Sequence, residues 1–187
     1  MSTTAVLVIV GAIVVVAAIV AIFVMRQRSV RLQKRFGPEY RRAVQETGSK
    51  YRAEAKLEKL EKRVKGYHIR PLSEDERVQY RSAWRVIQNR FVDDPALALQ
   101  QADELVREVM GACGYPLTTF EDQAAELSVD HPMVVENYRA GHAIAVRQSR
   151  NEASTEEIRK ALICYRTLFN DIVGEPMAAS AAAGRQA

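Results

Sequence analysis

Residues 5–25 run for 21 positions without one polar side chain: fourteen are Val, Ile, Leu or Phe, five are Ala, and Gly11 and Met25 complete the stretch. At about 1.5 Å per residue, a helix of that length reaches roughly 31 Å, close to the roughly 30 Å of bilayer hydrocarbon. The strongly apolar residues together favour insertion by roughly 4–8 kcal/mol, at about 0.3–0.6 kcal/mol each. So many β-branched side chains would favour a strand in water. In lipid the backbone must satisfy its own hydrogen bonds, and the helix wins. The stretch does not read as a cleaved signal peptide. Met1 to Thr4 carry no Lys or Arg, the apolar run is too long, and Ile22-Phe23-Val24-Met25-Arg26 offers no small-x-small cleavage site. An uncleaved anchor is expected.

The charge is distributed as unevenly as the apolar residues. The net charge of +4 conceals an uncharged residues 1–25, fifteen Lys/Arg against five Asp/Glu in residues 26–70, and twelve against eighteen in residues 71–187. Seven basic residues follow the apolar stretch closely, Arg26, Arg28, Arg31, Lys34, Arg35, Arg41 and Arg42, and none precedes it. Basic flanks stay in the cytoplasm, so the N-terminus is expected outside and the C-terminal domain inside, in the cell membrane. Two cysteines without metal-finger spacing suit a reducing compartment and exclude a disulfide framework. Ala17 and Ala21 form one small-xxx-small pair, a weak signal for helix association.

Residues 26–36, RQRSVRLQKRF, alternate basic residues with Val30, Leu32 and Phe36. This segment is expected to fix topology and to lie along the anionic inner leaflet, with Arg26, Arg28, Arg31, Lys34 and Arg35 at the headgroups and Phe36 dipping into the interface. Gly37-Pro38 breaks the run. A short helix over 39–46 and a longer one over 50–66 follow, the latter with Glu58–Lys62 and Glu61–Lys65 as i,i+4 pairs. Ala53, Leu57, Leu60, Val64 and Tyr67 make one narrow apolar seam, expected to dock on the following domain or to add to a dimer. The basic density also suits phosphate, yet acidic residues interleave the helical part and no recognition motif is present, so nucleic acid is an unfavoured partner.

Residues 71–173 read as successive helices. Ser73-x-x-Glu76 is a capping box, followed by the stripe Tyr80, Trp84, Ile87 and Phe91. Asp94-Pro95 opens a second helix with Leu99, Ala102, Leu105, Val106, Val109 and Met110 inside, and Gly111 and Gly114 close it. A short helix over 120–127 is capped by Thr119 or Thr118, and a longer one over 132–150 carries Val135, Tyr138, Ala145 and Val146. Ser154-x-x-Glu157 caps the last, whose face is Ile158, Ala161, Leu162, Tyr165, Leu168, Phe169 and Ile172, stopped by Gly174-Glu175-Pro176. The expected fold is all-α: a transmembrane anchor (1–25), a basic juxtamembrane and helical neck (26–70), an acidic bundle of four longer helices and one short one (71–173), and a disordered Ala-rich tail (174–187).

Sites for chemistry are scarce. His68, His131 and His142 have no metal-ligand spacing, and Cys113 and Cys164 read as small buried apolar residues. Asp93-Asp94 and Glu156-Glu157 stand at helix starts, where the helix dipole favours them. No phosphate-binding, nucleophile-elbow or metalloprotease motif occurs. No catalytic, cofactor-binding or metal-binding residue is therefore assigned, and a non-enzymatic protein is expected.

Arg35-Phe36-Gly37-Pro38-Glu39-Tyr40, Arg70-Pro71-Leu72-Ser73, Phe91-Val92-Asp93-Asp94-Pro95, Gly114-Tyr115-Pro116, Ser128-Val129-Asp130-His131-Pro132 and Ala153-Ser154-Thr155-Glu156 together resemble a family of uncharacterised bacterial single-pass membrane or secreted hypothetical proteins. The resemblance spans nearly all of residues 26–173 and implies a bacterial membrane setting without catalytic residues. The expected function is a membrane-tethered interaction module at the cytoplasmic face, binding an unidentified protein or its own copy. The anchor raises its effective concentration there. The alternative is a small-ligand or lipid sensor with a pocket between helices near Trp84, Tyr138 and His142.

Overall fold

The computed structural model describes residues 3–174. Of the expected disordered tail over 174–187, residues 175–187 fall outside the described residues, while the Gly174 carbonyl accepts from Arg81 at 2.6 Å. The described chain is eight α-helices: α1 Thr3–Phe36, α2 Pro38–Thr47, α3 Lys50–Lys65, α4 Glu74–Arg90, α5 Pro95–Ala112, α6 Phe120–Asp130, α7 Val135–Gln148 and α8 Thr155–Val173. It divides into two compact units, one up to Leu57 and one from Glu58, with the division inside α3. The fold is all-α.

In the first unit, α1 continues without a break from the apolar stretch through the basic run to Phe36. Gly37 (φ 49°) and Pro38, the latter at the first position of α2, impose the stop that the sequence announces. Residues 11–36 of this helix are long and apolar enough to cross a membrane. Ile13, Val15, Val16, Ile19, Val20, Ile22, Phe23, Val24 and Met25 are each 54–62% exposed, on all sides of the helix.

The second unit is the bundle. Here α8 packs between α5 and α7, α4 flanks α5, and α6 flanks α7. The core takes Tyr80, Trp84 and Ile87 from α4, Leu99, Val106, Val109 and Met110 from α5, Tyr138 from α7, and Ile158, Tyr165, Leu168 and Phe169 from α8. Both capping boxes form. Ser73 accepts from the Glu76 N–H while Glu76 accepts from the Ser73 N–H, and Ser154 and Glu157 repeat the arrangement on α8. Asp94 caps α5 through the Leu97 N–H at 2.9 Å, and Thr119 caps α6.

Three boundaries differ from expectation by three residues or more. Helix α6 runs three residues further, to Asp130. Helix α7 starts at Val135 rather than Pro132, because residues 131–134 form a turn in which the His131 N–H closes α6 on Leu127 and the Val134 N–H returns to His131. Val146, placed with the apolar residues of that helix, is exposed. The bundle also begins before residue 71, since the second half of α3 belongs to it. The Tyr67 hydroxyl donates to Glu126 at 2.7 Å, Arg63 lies 3.3 Å from the same oxygen, and the Arg70 N–H donates to the Cys113 carbonyl at 2.9 Å. Gly114 makes the last contact possible: at φ 96° a Cβ would stand 2.4 Å from the His68 carbonyl oxygen.

Candidate functional site: the membrane-proximal neck

Residues 26–57 of the basic neck pack together within the first unit. Leu32 and Phe36 at the end of α1, Tyr40 and Ala43 on α2, and Ala53 and Leu57 on α3 are all buried. Each large apolar side chain so buried contributes about 1.5–3 kcal/mol. Glu54, also buried, accepts hydrogen bonds from the Ser29 hydroxyl of α1 and, at 2.9 Å, from the Tyr40 hydroxyl of α2. One carboxylate thus ties three helices together. Burial, above all, raises the Tyr40 hydroxyl above its ordinary pKa, with the neighbouring Glu54 acting in the same direction. At the surface, Glu46 pairs with Arg42 at 2.8 Å and Lys56 at 2.9 Å. The Lys56 hydrogen bond, outweighing burial, holds its carboxyl below the usual range.

This packing sorts the expected lipid contacts. Ser29, Leu32 and Phe36, spaced i, i+3, i+7, are the inward stripe of α1. Phe36 is fully buried; it belongs to the interior of the neck, which corrects the expectation that it dips into the membrane. Arg26, Arg31 and Lys34 are exposed, while Arg28 and Arg35 are half-buried. None of Arg28, Arg31 and Arg35 is without a partner.

Each of the three residues expected to line a pocket between bundle helices packs against another ring. Trp84 stacks on Phe169 with centroids 4.8 Å apart. Tyr138 is fully buried, 4.8 Å from the Phe120 ring and 6.1 Å, edge-on, from Tyr165. His142 stacks on Phe120 at 3.6 Å and is half-exposed. The structure therefore links Tyr138 and His142 through the Phe120 ring and gives Trp84 a different stacking partner. A groove of about 750 Å³ lies along α8, lined by Val134, Ile163, Arg166, Thr167, Asn170, Asp171 and Gly174.

Two polar clusters escaped sequence reasoning. Asp103 of α5 accepts from the Tyr165 hydroxyl at 2.6 Å, with His142 Nδ1 3.6 Å away. Burial opposes ionisation of Asp103, but His142 and Tyr165 favour it and hold the carboxyl below its ordinary range. Burial, and after it the Asp103 charge, pushes the Tyr165 hydroxyl well up. The second is Glu126, buried on α6 and held by Tyr67 and Arg63. The i+3 relation of Gln123 and Glu126, beside buried Ala124 and Leu127, was the available signal for an inward face. His131 pairs with Asp171, Cys113 is buried, and His68 is exposed. Among the described residues no group of three or more His, Cys, Asp or Glu is arranged to hold a metal ion.

Comparison with family models, curated proteins and solved structures gives no match to this chain.

Proposed function

We propose that this chain is a membrane-tethered, non-enzymatic helical interaction module, anchored by α1 with its C-terminal bundle at the cytoplasmic face. The observation that carries this reading is the ring of apolar side chains from Ile13 to Met25, more than half exposed in every direction. Water around such a surface is costly by about 25 cal/mol per Å², whereas lipid accepts it. The run of cations that follows, with none before, supports the inward orientation of the C-terminal part. The stacking of Trp84 on Phe169 and of Phe120 on Tyr138 and His142 supports a surface-mediated role over ligand enclosure by those residues. The partner is another protein or a second copy, and the net negative charge of residues 71–187 favours a basic surface on it.

Alkaline extraction of membranes carrying the full chain tests the anchor. The wild-type chain stays in the pellet. Ile13→Arg with Ile19→Arg adds a cost of about 2.5–3.5 kcal/mol per residue at the helix centre, enough to offset the insertion energy, and moves the protein to the supernatant. Release of the wild-type chain by the same treatment would refute the proposal.

A further inference from the structure

The continuity of α1 with a folded neck fixes where its cations stand. There is no linker between the apolar stretch and the first buried neck residue: Met25 and Ser29 belong to the same unbroken helix. Four residues at about 1.5 Å each put Ser29 about 6 Å past the hydrocarbon edge, within a headgroup layer of roughly 5–7 Å. The packing of the neck therefore starts at headgroup depth, with no flexible segment before it.

With Ser29, Leu32 and Phe36 turned inward, Arg26, Val30 and Lys34 form one stripe at i, i+4, i+8 that starts beside the inward face and drifts to the side opposite it by Lys34. All three are exposed, Val30 by 50%. By the same rise Arg26 stands about 1.5 Å, Val30 about 7.5 Å and Lys34 about 14 Å beyond the hydrocarbon edge. The Lys34 ammonium, on a flexible stem, still lies within about one Debye length of the phosphate layer. Residues 26–36 contain no acidic side chain, so no carboxylate within the segment opposes an anion there. We propose that this stripe is a collar for anionic phospholipid headgroups, Arg26 pairing with phosphate, Val30 standing at the outer edge of the headgroup layer and Lys34 drawing anionic lipid from just above it. The inference rests on the membrane reading of α1 and assigns the lipid that surrounds it. Because the Glu54 bonds to Ser29 and Tyr40 hold the stripe in register, the cations are pre-positioned rather than gathered from a flexible segment.

The test is lipid retention by the full chain reconstituted in mixed vesicles of zwitterionic and anionic phospholipid, then extracted and its bound lipids counted by native mass spectrometry. The wild type retains anionic over zwitterionic lipid, and about 1 M salt removes the preference. Arg26→Gln with Lys34→Gln lowers it by about fivefold per cation, with helicity unchanged. A control of equal charge loss, Arg85→Gln with Arg90→Gln on α4, leaves it intact. No anionic preference in the wild type, or equal loss in both double variants, overturns the collar while α1 remains an anchor. A wild-type chain that fails to enter the vesicles overturns the anchor itself and the collar with it.

Discussion

The Tyr40 hydroxyl donates to the buried Glu54 carboxylate across 2.9 Å, and this bond joins α2 to α3 beneath the end of the apolar helix. Glu54→Ala strands both the Tyr40 and Ser29 hydroxyls, each buried donor costing about 1–3 kcal/mol. Amide exchange around Ala43 and Ala53 should speed accordingly, while exchange in α8 stays slow. Tyr40→Phe should cost only about 1 kcal/mol, and the double variant less than the sum of the two. Strict additivity would show that the pair is not coupled.

Acid should loosen the bundle through its helix caps. The Glu76 carboxyl is held down to about 2, first by Arg70 and then by Ser73, and Glu157 to about 2 by the Ser154 N–H and then Arg147. A carboxyl whose folded pKa is depressed contributes stability above its unfolded value, near 4.5, and loses it as pH falls toward the folded one. Helicity should therefore decline between about pH 4.5 and 2. Asp103, held low in the core, adds to the same acid limb. In Glu76→Gln with Glu157→Gln, which keeps the capping hydrogen bonds but not the charge, the decline should be shallower and start from lower stability. An unchanged acid limb would contradict the assignment.

Two glycines at the end of α5 should respond oppositely to one added carbon. In Gly114→Ala the new Cβ meets the His68 carbonyl oxygen at 2.4 Å with φ at 96°, and the strain should lower stability by about 2–3 kcal/mol or more. In Gly111→Ala the nearest atom is a flexible Leu117 methyl at 3.4 Å, and removing glycine from a helix should stabilise by up to about 1 kcal/mol. Thermal unfolding of the two variants checks the contrast.

Trp84 is the single tryptophan, buried and stacked on Phe169. Its emission should be blue-shifted in the native chain and move red as the bundle unfolds. Phe169→Ala should cost about 3–5 kcal/mol, because the ring leaves a cavity against the indole. Solvent-exposed emission from the native chain would contradict the packed core.

What was legible from the sequence was local chemistry. Ser73 with Glu76, Ser154 with Glu157, and Asp94 with Pro95 announce helix starts because the donors they satisfy lie within three residues. The α8 stripe from Ile158 to Phe169 reads directly because one face of a helix is continuous in 3.6-residue steps. The neck resisted reading for the opposite reason. Leu32 and Phe36 are sparse apolar residues in a basic run, and only packing shows that they point inward. Glu54 and Glu126 look like surface charges until the hydroxyls of Tyr40 and Tyr67 are found on them. The start of α7 misled because Pro132 is a favoured first residue of a helix, whereas His131, paired with Asp171, holds residues 131–134 in a turn. Trp84, Tyr138 and His142 are the aromatic residues a pocket would use, but how tightly they close on Phe169, Phe120 and Tyr165 is a property of three dimensions.

The most direct measurement of the central claim is the side of the membrane on which the C-terminal end of the chain lies. Paired C-terminal fusions in a bacterial host, one to a fluorescent protein that matures in the cytoplasm and one to a phosphatase active only outside it, report that side. The expected result is a bright fluorescent fusion and an inactive phosphatase, with both fusions in the alkali-resistant membrane fraction. An active phosphatase with a dark fluorescent fusion, or either fusion released into the soluble fraction, would contradict a bundle tethered by α1 at the cytoplasmic face.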